Sequence, residues 1–158
     1  MKKFLKRTAL VIGILFILIQ FYRPEKTNPP VDESKVIFAT MKVPENIQAI
    51  LKRSCFDCHS NSTVWPWYSN IAPASWLVIR DANEGRKHMN FSRWGEYSPS
   101  KAASMFNEIY EEVEAGRMPF PPYLIMHKEA ELSPEDIQAM LDWSADEMDR
   151  IMEGNGGG

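Results

Sequence analysis

Apolar and polar residues divide the chain into an apolar N-terminal run, a polar segment with prolines, and a longer region with helical periodicity. Residues 9–22 are apolar except for Gln20, and basic residues precede them. Residues 23–40 contain three prolines and many polar side chains, a composition typical of a linker. The pattern predicts four parts: an N-terminal signal anchor or transmembrane segment (1–22), a linker (23–40), a folded domain (41–152) and a disordered tail (153–158).

Four helices are predicted in the folded domain, and no segment shows the alternation of apolar and polar residues that predicts a strand. They span about residues 44–54, 74–87, 99–115 and 133–151. Ser98 and Pro99 suit the N-cap and the first position of the third helix, and Gly116 suits the position after its end. The sequence therefore predicts an all-α domain of about four helices.

The N-terminal segment has the basic start and the apolar run of a secretory signal. No small-x-small cleavage site follows the run at residues 20–24, so we expect an uncleaved, single-pass membrane anchor helix. The basic residues would stay in the cytoplasm, which places the domain on the periplasmic side of the cytoplasmic membrane. The alternative is a cleaved signal peptide and a soluble periplasmic domain. The basic residues are Lys2, Lys3, Lys6 and Arg7.

Charge narrows the choice of partners. The whole chain has a formal charge of -3, and without the four N-terminal basic residues it has 14 basic and 21 acidic residues, a charge of -7. An acidic domain does not suit nucleic acid, because affinity for nucleic acid comes from neutralising phosphates. A basic redox partner protein is compatible with this charge.

The two cysteines of the chain stand in the motif Cys55-Phe56-Asp57-Cys58-His59. This is C-x-x-C-H, the attachment signature of c-type haem. Two sulfurs on one turn can reach the two vinyl groups of one porphyrin, and the adjacent histidine can bind the iron. The motif predicts one covalent haem c, attached at Cys55 and Cys58 and ligated by His59.

Other interpretations of the two cysteines are less favoured. A zinc site needs two more ligands, and the remaining histidines, His88 and His127, fit no zinc-finger spacing. A thioredoxin-like redox pair needs a βαβ context, which is absent from the predicted elements. A disulfide across two intervening residues would be strained and would close almost no loop.

Met118 is the preferred second ligand of the iron. It lies in a loop after the third helix, and three prolines follow it within four residues. A thioether binds haem iron, and prolines restrict where its sulfur can lie. His127 is the first alternative and His88 the second; Met89, Met126 and a five-coordinate iron are further ones.

Two other groups of side chains could contact a haem. The aromatic residues near the motif could form its walls or simply belong to the core: Trp65, Trp67, Tyr68 and Trp76. Three arginines could pair with haem propionates or lie on the surface: Arg80, Arg86 and Arg117.

The order of these features resembles small cytochromes c: a helix ending in C-x-x-C-H, a Met-Pro loop and a C-terminal helix. The chain is more similar to the bacterial haem-binding domain family, Haem_bd, over about residues 40–150. The similar stretches are residues 55–63, 65–69, 90–94, 118–127 and 133–143. The resemblance implies an anchored or exported cytochrome c-like fold around one haem. It implies attachment at Cys55 and Cys58, a proximal His59 and a distal Met118.

We therefore expect single-electron transfer in the cell envelope, between redox partner proteins. The alternative is a haem-based gas or redox sensor, or an assembly module, with an exchangeable distal site. An enzyme is not expected, because c-type peroxidases generally use two haems and this chain has one C-x-x-C-H.

Overall fold

The structure, a computed structural model, describes residues 1–155, and no strand occurs among them. Its α-helices are α1 (Lys2–Ile19), α2 (Ile37–Thr40), α3 (Glu45–Ser54), α4 (Phe56–His59), α5 (Ala74–His88), α6 (Pro99–Glu114), α7 (Pro121–Leu124) and α8 (Pro134–Asn155). Short 3₁₀ turns lie at Glu33–Lys35, Trp67–Asn70, Phe91–Glu96 and Lys128–Ala130. The all-α prediction is confirmed.

The four predicted helices correspond to α3, α5, α6 and α8. At the start of α6, the Ser98 hydroxyl accepts a hydrogen bond from the Lys101 N–H at 3.3 Å, and Pro99 is the first helical residue. Gly116 has a φ of +65°, the left-handed conformation that follows a helix end. Helix α8 extends to Asn155, and residues 156–158 of the predicted tail lie outside the described residues.

The core lies where α6 packs against α8, and α3 contacts α8 beside it. Aromatic rings connect its parts: Trp94 meets Phe106 edge-on at 5.0 Å, and Phe106 meets Trp143 at 5.2 Å. Trp94 lies in the 3₁₀ turn Phe91–Glu96, so these contacts join that turn to α6 and α8. They hold the middle of the chain to its last helix. The core residues with no more than 2% exposure are Ile37, Ile47, Leu51, Phe91, Met105, Phe106, Ala130 and Met140.

Residues 23–40, predicted as a linker, lie against the domain instead. Ile37 is fully buried in the core. The Asn28 side chain donates to the Thr63 carbonyl at 2.9 Å, and the Arg86 guanidinium donates to the Thr27 carbonyl at 2.9 Å and to Asn28 Oδ1 at 2.8 Å. Polar groups of Thr27 and Asn28 therefore have partners in the domain, and the segment is part of its fold.

Helix α1 extends from the domain with its apolar side chains exposed. Its end is fixed by Gln20, which donates to the Ala72 carbonyl at 3.1 Å and accepts from the Ala72 N–H at 2.9 Å. The Trp76 indole donates to the Tyr22 carbonyl at 2.9 Å, and the two rings meet edge-on. No helix in the described part of the chain has both the length and the apolar character needed to cross a membrane.

Candidate functional site

The C-x-x-C-H motif forms a single helical turn directly after α3. The N–H groups of Cys58 and His59 both donate to the Cys55 carbonyl, at 3.2 and 2.9 Å. This turn brings residues three apart to the same side, so the two cysteines can present their sulfurs together. Both cysteines are half-buried free thiols.

Phe56, the first intervening residue of the motif, attaches this turn to the core. Its ring stacks between Phe38 and Phe91, with centroids 5.2 and 5.4 Å away and planes within 8° of parallel. Phe91 in turn stacks on Trp94 at 5.7 Å. The motif is therefore held by an aromatic stack that continues into the interior.

Asp57, the second intervening residue, connects the turn to two other segments. Its Oδ1 accepts from the Val64 N–H and its Oδ2 accepts from the Tyr123 hydroxyl, both at 2.8 Å. The Thr63 hydroxyl donates to the Asp57 carbonyl, also at 2.8 Å. Burial, followed by the hydrogen bond to the Asp57 carboxylate, raises the pKa of Tyr123, so its hydroxyl keeps its proton and donates.

A cavity of about 480 Å³ opens beside the motif, between α3, α4, α5 and α6. The structure brings the four preferred site residues together there: Cys55, Cys58, His59 and Met118 all line it. The rest of its interior is mainly apolar, contributed by Leu51, Met89, Phe91, Ile109, Val113 and Met140.

Both thiols are protonated in this environment. Burial raises the pKa of Cys55 to about 12, with a further contribution from Cys58. Burial also raises the pKa of Cys58 to about 11, helped by the negative charges of Asp57 and Asp81. A reactive redox pair requires a lowered thiol pKa, so the thioredoxin-like interpretation has no support here.

His59 is oriented by a backbone carbonyl. Its Nδ1 lies 3.2 Å from the Met89 oxygen, and because a carbonyl can only accept, Nδ1 carries the proton. Burial lowers the pKa of His59, which favours the neutral ring, while the bond to Met89 opposes this. A neutral imidazole that donates through Nδ1 keeps its Nε2 lone pair available for a metal.

A buried network of amide and hydroxyl groups holds that carbonyl in place. The Asn90 side chain donates to Asn61 Oδ1 at 2.8 Å and accepts from the Ser92 N–H at 2.9 Å. The Ser92 hydroxyl accepts from the Asn61 N–H at 3.0 Å. These bonds join the segment after the motif to the segment after α5, so the partner of His59 is fixed relative to His59 itself.

Met118 reaches the cavity because the chain reverses after α6. The N–H groups of Arg117 and Met118 both donate to the Glu112 carbonyl, at 2.9 and 3.1 Å. Met118 is 37% exposed and lines the cavity beside Pro119 and Phe120.

The alternative ligands are placed differently. His127 does not line the cavity: its Nε2 pairs with the Tyr68 hydroxyl at 2.8 Å and its Nδ1 with Glu129 at 2.9 Å. His88 lines the cavity, but its Nε2 contacts the Glu108 carboxylate. Of the other methionines considered, Met89 lines the cavity and Met126 lies outside it.

The predicted haem walls and propionate partners lie mostly elsewhere. Trp65 and Tyr68 line a neighbouring cavity of about 400 Å³ that meets the first at Cys58, whereas Trp67 is exposed. Arg86 binds the Ser60 carbonyl and the segment before α2. Arg80 and Arg117 pair with Asp81 and Glu112, two carboxylates that line the first cavity.

The residues of this cavity fit a haem. Its volume lies within the range of about 300–1,000 Å³ typical of cofactor pockets, and an apolar lining suits a flat macrocycle. The buried Ser54 hydroxyl lines it and has no partner within residues 1–155. A zinc site is not supported, because the described residues contain no group of three or more His, Cys, Asp or Glu placed to hold a metal ion.

Phe56, Asp57, Asn61 and Asn90 are site residues that sequence reasoning did not assign. Phe56 and Asp57 occupy the unrestricted positions of C-x-x-C-H, so the motif itself gives no signal for them. Asn90 stands in a stretch that resembles the haem-binding domain family, which is the one signal that could have indicated it.

Comparison with known proteins agrees with this site. No curated protein and no solved structure matches the chain. One family model, described as a haem-binding domain, matches residues 14–146, which include the motif, the cavity and most of α8. The chain therefore belongs to the haem-binding domain family Haem_bd, whose members bind haem.

Proposed function

We propose that this chain is a single-haem c-type cytochrome domain that transfers single electrons. The observation that carries the proposal is the meeting of Cys55, Cys58, His59 and Met118 at one mainly apolar cavity. Each of these side chains supplies a group that covalent, six-coordinate haem requires: two thiols, an imidazole and a thioether.

In this proposal the residues of the chain have distinct roles. Cys55 and Cys58 would hold one haem c through thioether bonds. His59 would bind the iron through Nε2, while the Met89 carbonyl fixes its ring through Nδ1. Met118 would be the second ligand, and a thioether ligand raises the reduction potential. When bound, the haem supplies a one-electron iron couple.

We place this activity in the cell envelope. The basic start and apolar run of residues 1–22 support export, and c-type haem is attached outside the cytoplasm. Our proposal keeps residues 1–22 as a signal anchor that attaches the protein to the cytoplasmic membrane, with cleavage as the alternative. The partners would be redox proteins of the same compartment.

The optical spectrum of the oxidised holoprotein tests the ligand assignment. We expect a methionine–iron charge-transfer band that disappears in Met118→Ala. Met126→Ala is the matched control, because Met126 is a methionine of the same loop that lies outside the cavity, and this variant should keep the band. A band that persists in Met118→Ala would contradict Met118 ligation.

A sensor with an exchangeable distal site is the second candidate. It is favoured by the 37% exposure of Met118 and by the loop around it, in which Pro119 is the only buried residue between positions 114 and 129. Carbon monoxide binding to the reduced protein separates the two functions. Slow binding limited by displacement of Met118 supports electron transfer, and rapid binding without displacement supports sensing.

A further inference from the structure

The loop that carries Met118 is attached to the domain at few points. Residues 114–129 include one buried residue, Pro119, and no residue of α7 is buried. A segment with so little buried apolar surface gains little from packing, so individual hydrogen bonds have a large influence on whether it stays closed.

Two hydrogen-bonded points bracket Met118. Before it, the Glu112 carbonyl accepts from the Met118 N–H at 3.1 Å. After it, the Tyr123 hydroxyl donates to Asp57 Oδ2 at 2.8 Å. Between Met118 and Tyr123 the chain contains Pro119, Pro121 and Pro122. Their fixed φ angles make this short segment stiff, so the position of Tyr123 restricts the position of Met118.

The same bond fixes the loop relative to the haem-binding motif. Asp57 stands between Cys55 and Cys58, so Tyr123 is joined directly to the turn that carries both sulfurs. The Tyr123 ring also stacks on His127, with centroids 4.2 Å apart and planes 8° from parallel. His127 pairs with Tyr68 and Glu129, so the ring of Tyr123 has a fixed support.

We propose that Asp57 and Tyr123 are positioning residues that form a latch between the haem-binding turn and α7, and that this latch keeps Met118 at the cavity. The inference rests on the proposed ligation of iron by Met118. While the latch is closed, the distal site is filled by Met118; when it opens, the loop can move and the site accepts an external ligand. The latch therefore sets the balance between a closed electron-transfer site and an open, ligand-binding one.

The chemistry of Asp57 makes this latch sensitive to a single atom. Its two carboxylate oxygens accept from two different donors, the Val64 N–H and the Tyr123 hydroxyl. An alanine offers no oxygen, so Asp57→Ala leaves both donors without their acceptor. Tyr123→Phe removes the other side of the bond while keeping the ring that stacks on His127.

The test compares Tyr123→Phe with wild-type holoprotein and with Tyr110→Phe. Tyr110 is a half-buried residue of α6 outside the cavity, so this control loses a hydroxyl without touching the latch. We expect Tyr123→Phe to keep covalent haem by intact mass but to weaken the methionine–iron band. Carbon monoxide should bind its reduced form about tenfold faster or more, because the open fraction rises when a bond to a charged group is lost.

An unchanged band and unchanged carbon monoxide binding in Tyr123→Phe would overturn the latch. If that variant does not fold, Asp57→Ala, which removes both acceptor oxygens, decides by the same two readouts. In the double variant of Tyr123→Phe and Asp57→Ala the effects on carbon monoxide binding should not add, since either change alone breaks the bond; additive effects would also overturn the proposal. A wild-type protein without the methionine–iron band would instead refute Met118 ligation, which separates failure of the proposed function from failure of the latch.

Discussion

The peptide group between Met89 and Asn90 is hydrogen-bonded on both sides. Its carbonyl faces His59 Nδ1 at 3.2 Å, and its N–H donates to the Tyr97 hydroxyl at 2.8 Å. Successive hydrogen bonds polarise one another, so the bond from Tyr97 strengthens the carbonyl that orients His59. A residue that does not line the cavity thereby helps to position a proposed iron ligand.

Tyr97→Phe tests this chain of bonds. It leaves the N–H of the buried Asn90 without its acceptor, and we expect a loss of about 1–3 kcal/mol in the free energy of unfolding. Urea denaturation of the holoprotein measures it. Tyr110→Phe, at a half-buried site on α6, should change stability by less than about 0.5 kcal/mol. Equal stabilities for the two variants would show that the bond to Asn90 contributes nothing.

Among single residues, the sequence predicts those whose chemistry follows from the spacing of a motif. It does not predict a role that depends on contact with a residue far away along the chain. Cys55, Cys58 and His59 are identified because five consecutive positions define a turn. Asp57 gains its role from Tyr123, 66 positions away, and no local pattern indicates that contact. The pairing of His127 with Tyr68, 59 positions away, is likewise indicated by no local pattern.

Among the elements, the long helices were predictable and the short ones were not. Helix α6 begins and ends where Ser98 and Gly116 indicate, because both signals are local. Helices α2, α4 and α7 have four residues each, which is too short to show helical periodicity. Their presence depends on packing against the rest of the chain.

The contact between α4 and α5 gives a prediction at this scale. A Cβ atom at Gly85 would lie 2.6 Å from the Cys58 carbonyl oxygen, a backbone atom that cannot move aside easily. We expect Gly85→Ala to cost about 1–3 kcal/mol of stability and to lower the yield of covalent haem, because α5 would be pushed away from the motif. Thermal unfolding and haem absorbance per chain measure the two effects.

Gly154→Ala is the control for this substitution. Gly154 also lies in a helix, α8, but nothing lies within 4 Å of a Cβ placed there. The control should match the wild type or be slightly more stable, since alanine favours helix. If both variants unfolded at the same temperature, close packing at Gly85 would not be needed.

In the molecule as a whole, the segment before α2 is part of the haem-binding domain. Arg86 donates to the Ser60 carbonyl at 2.8 Å and to the Thr27 carbonyl at 2.9 Å, so it joins this segment to the residue after the motif. Composition alone could not predict this, because a polar segment with prolines looks the same whether its polar groups face water or a protein surface.

Arg86→Gln should release the segment. We expect trypsin to cleave after Lys26 about tenfold faster or more, because cleavage follows the fraction of molecules in which the segment is open. Arg80→Gln is the control: Arg80 is exposed and pairs with its neighbour Asp81, so its cleavage rate should match the wild type. A wild-type rate in Arg86→Gln would contradict the role of Arg86.

Covalent attachment of haem to this chain is tested most directly by intact mass. The protein is matured with a c-type assembly system, extracted with acidified organic solvent and weighed. We predict a polypeptide heavier than its sequence by one haem, and loss of that increment when Cys55 and Cys58 are both replaced by serine. A folded wild-type protein with the unmodified mass and two free thiols would contradict the assignment of this site.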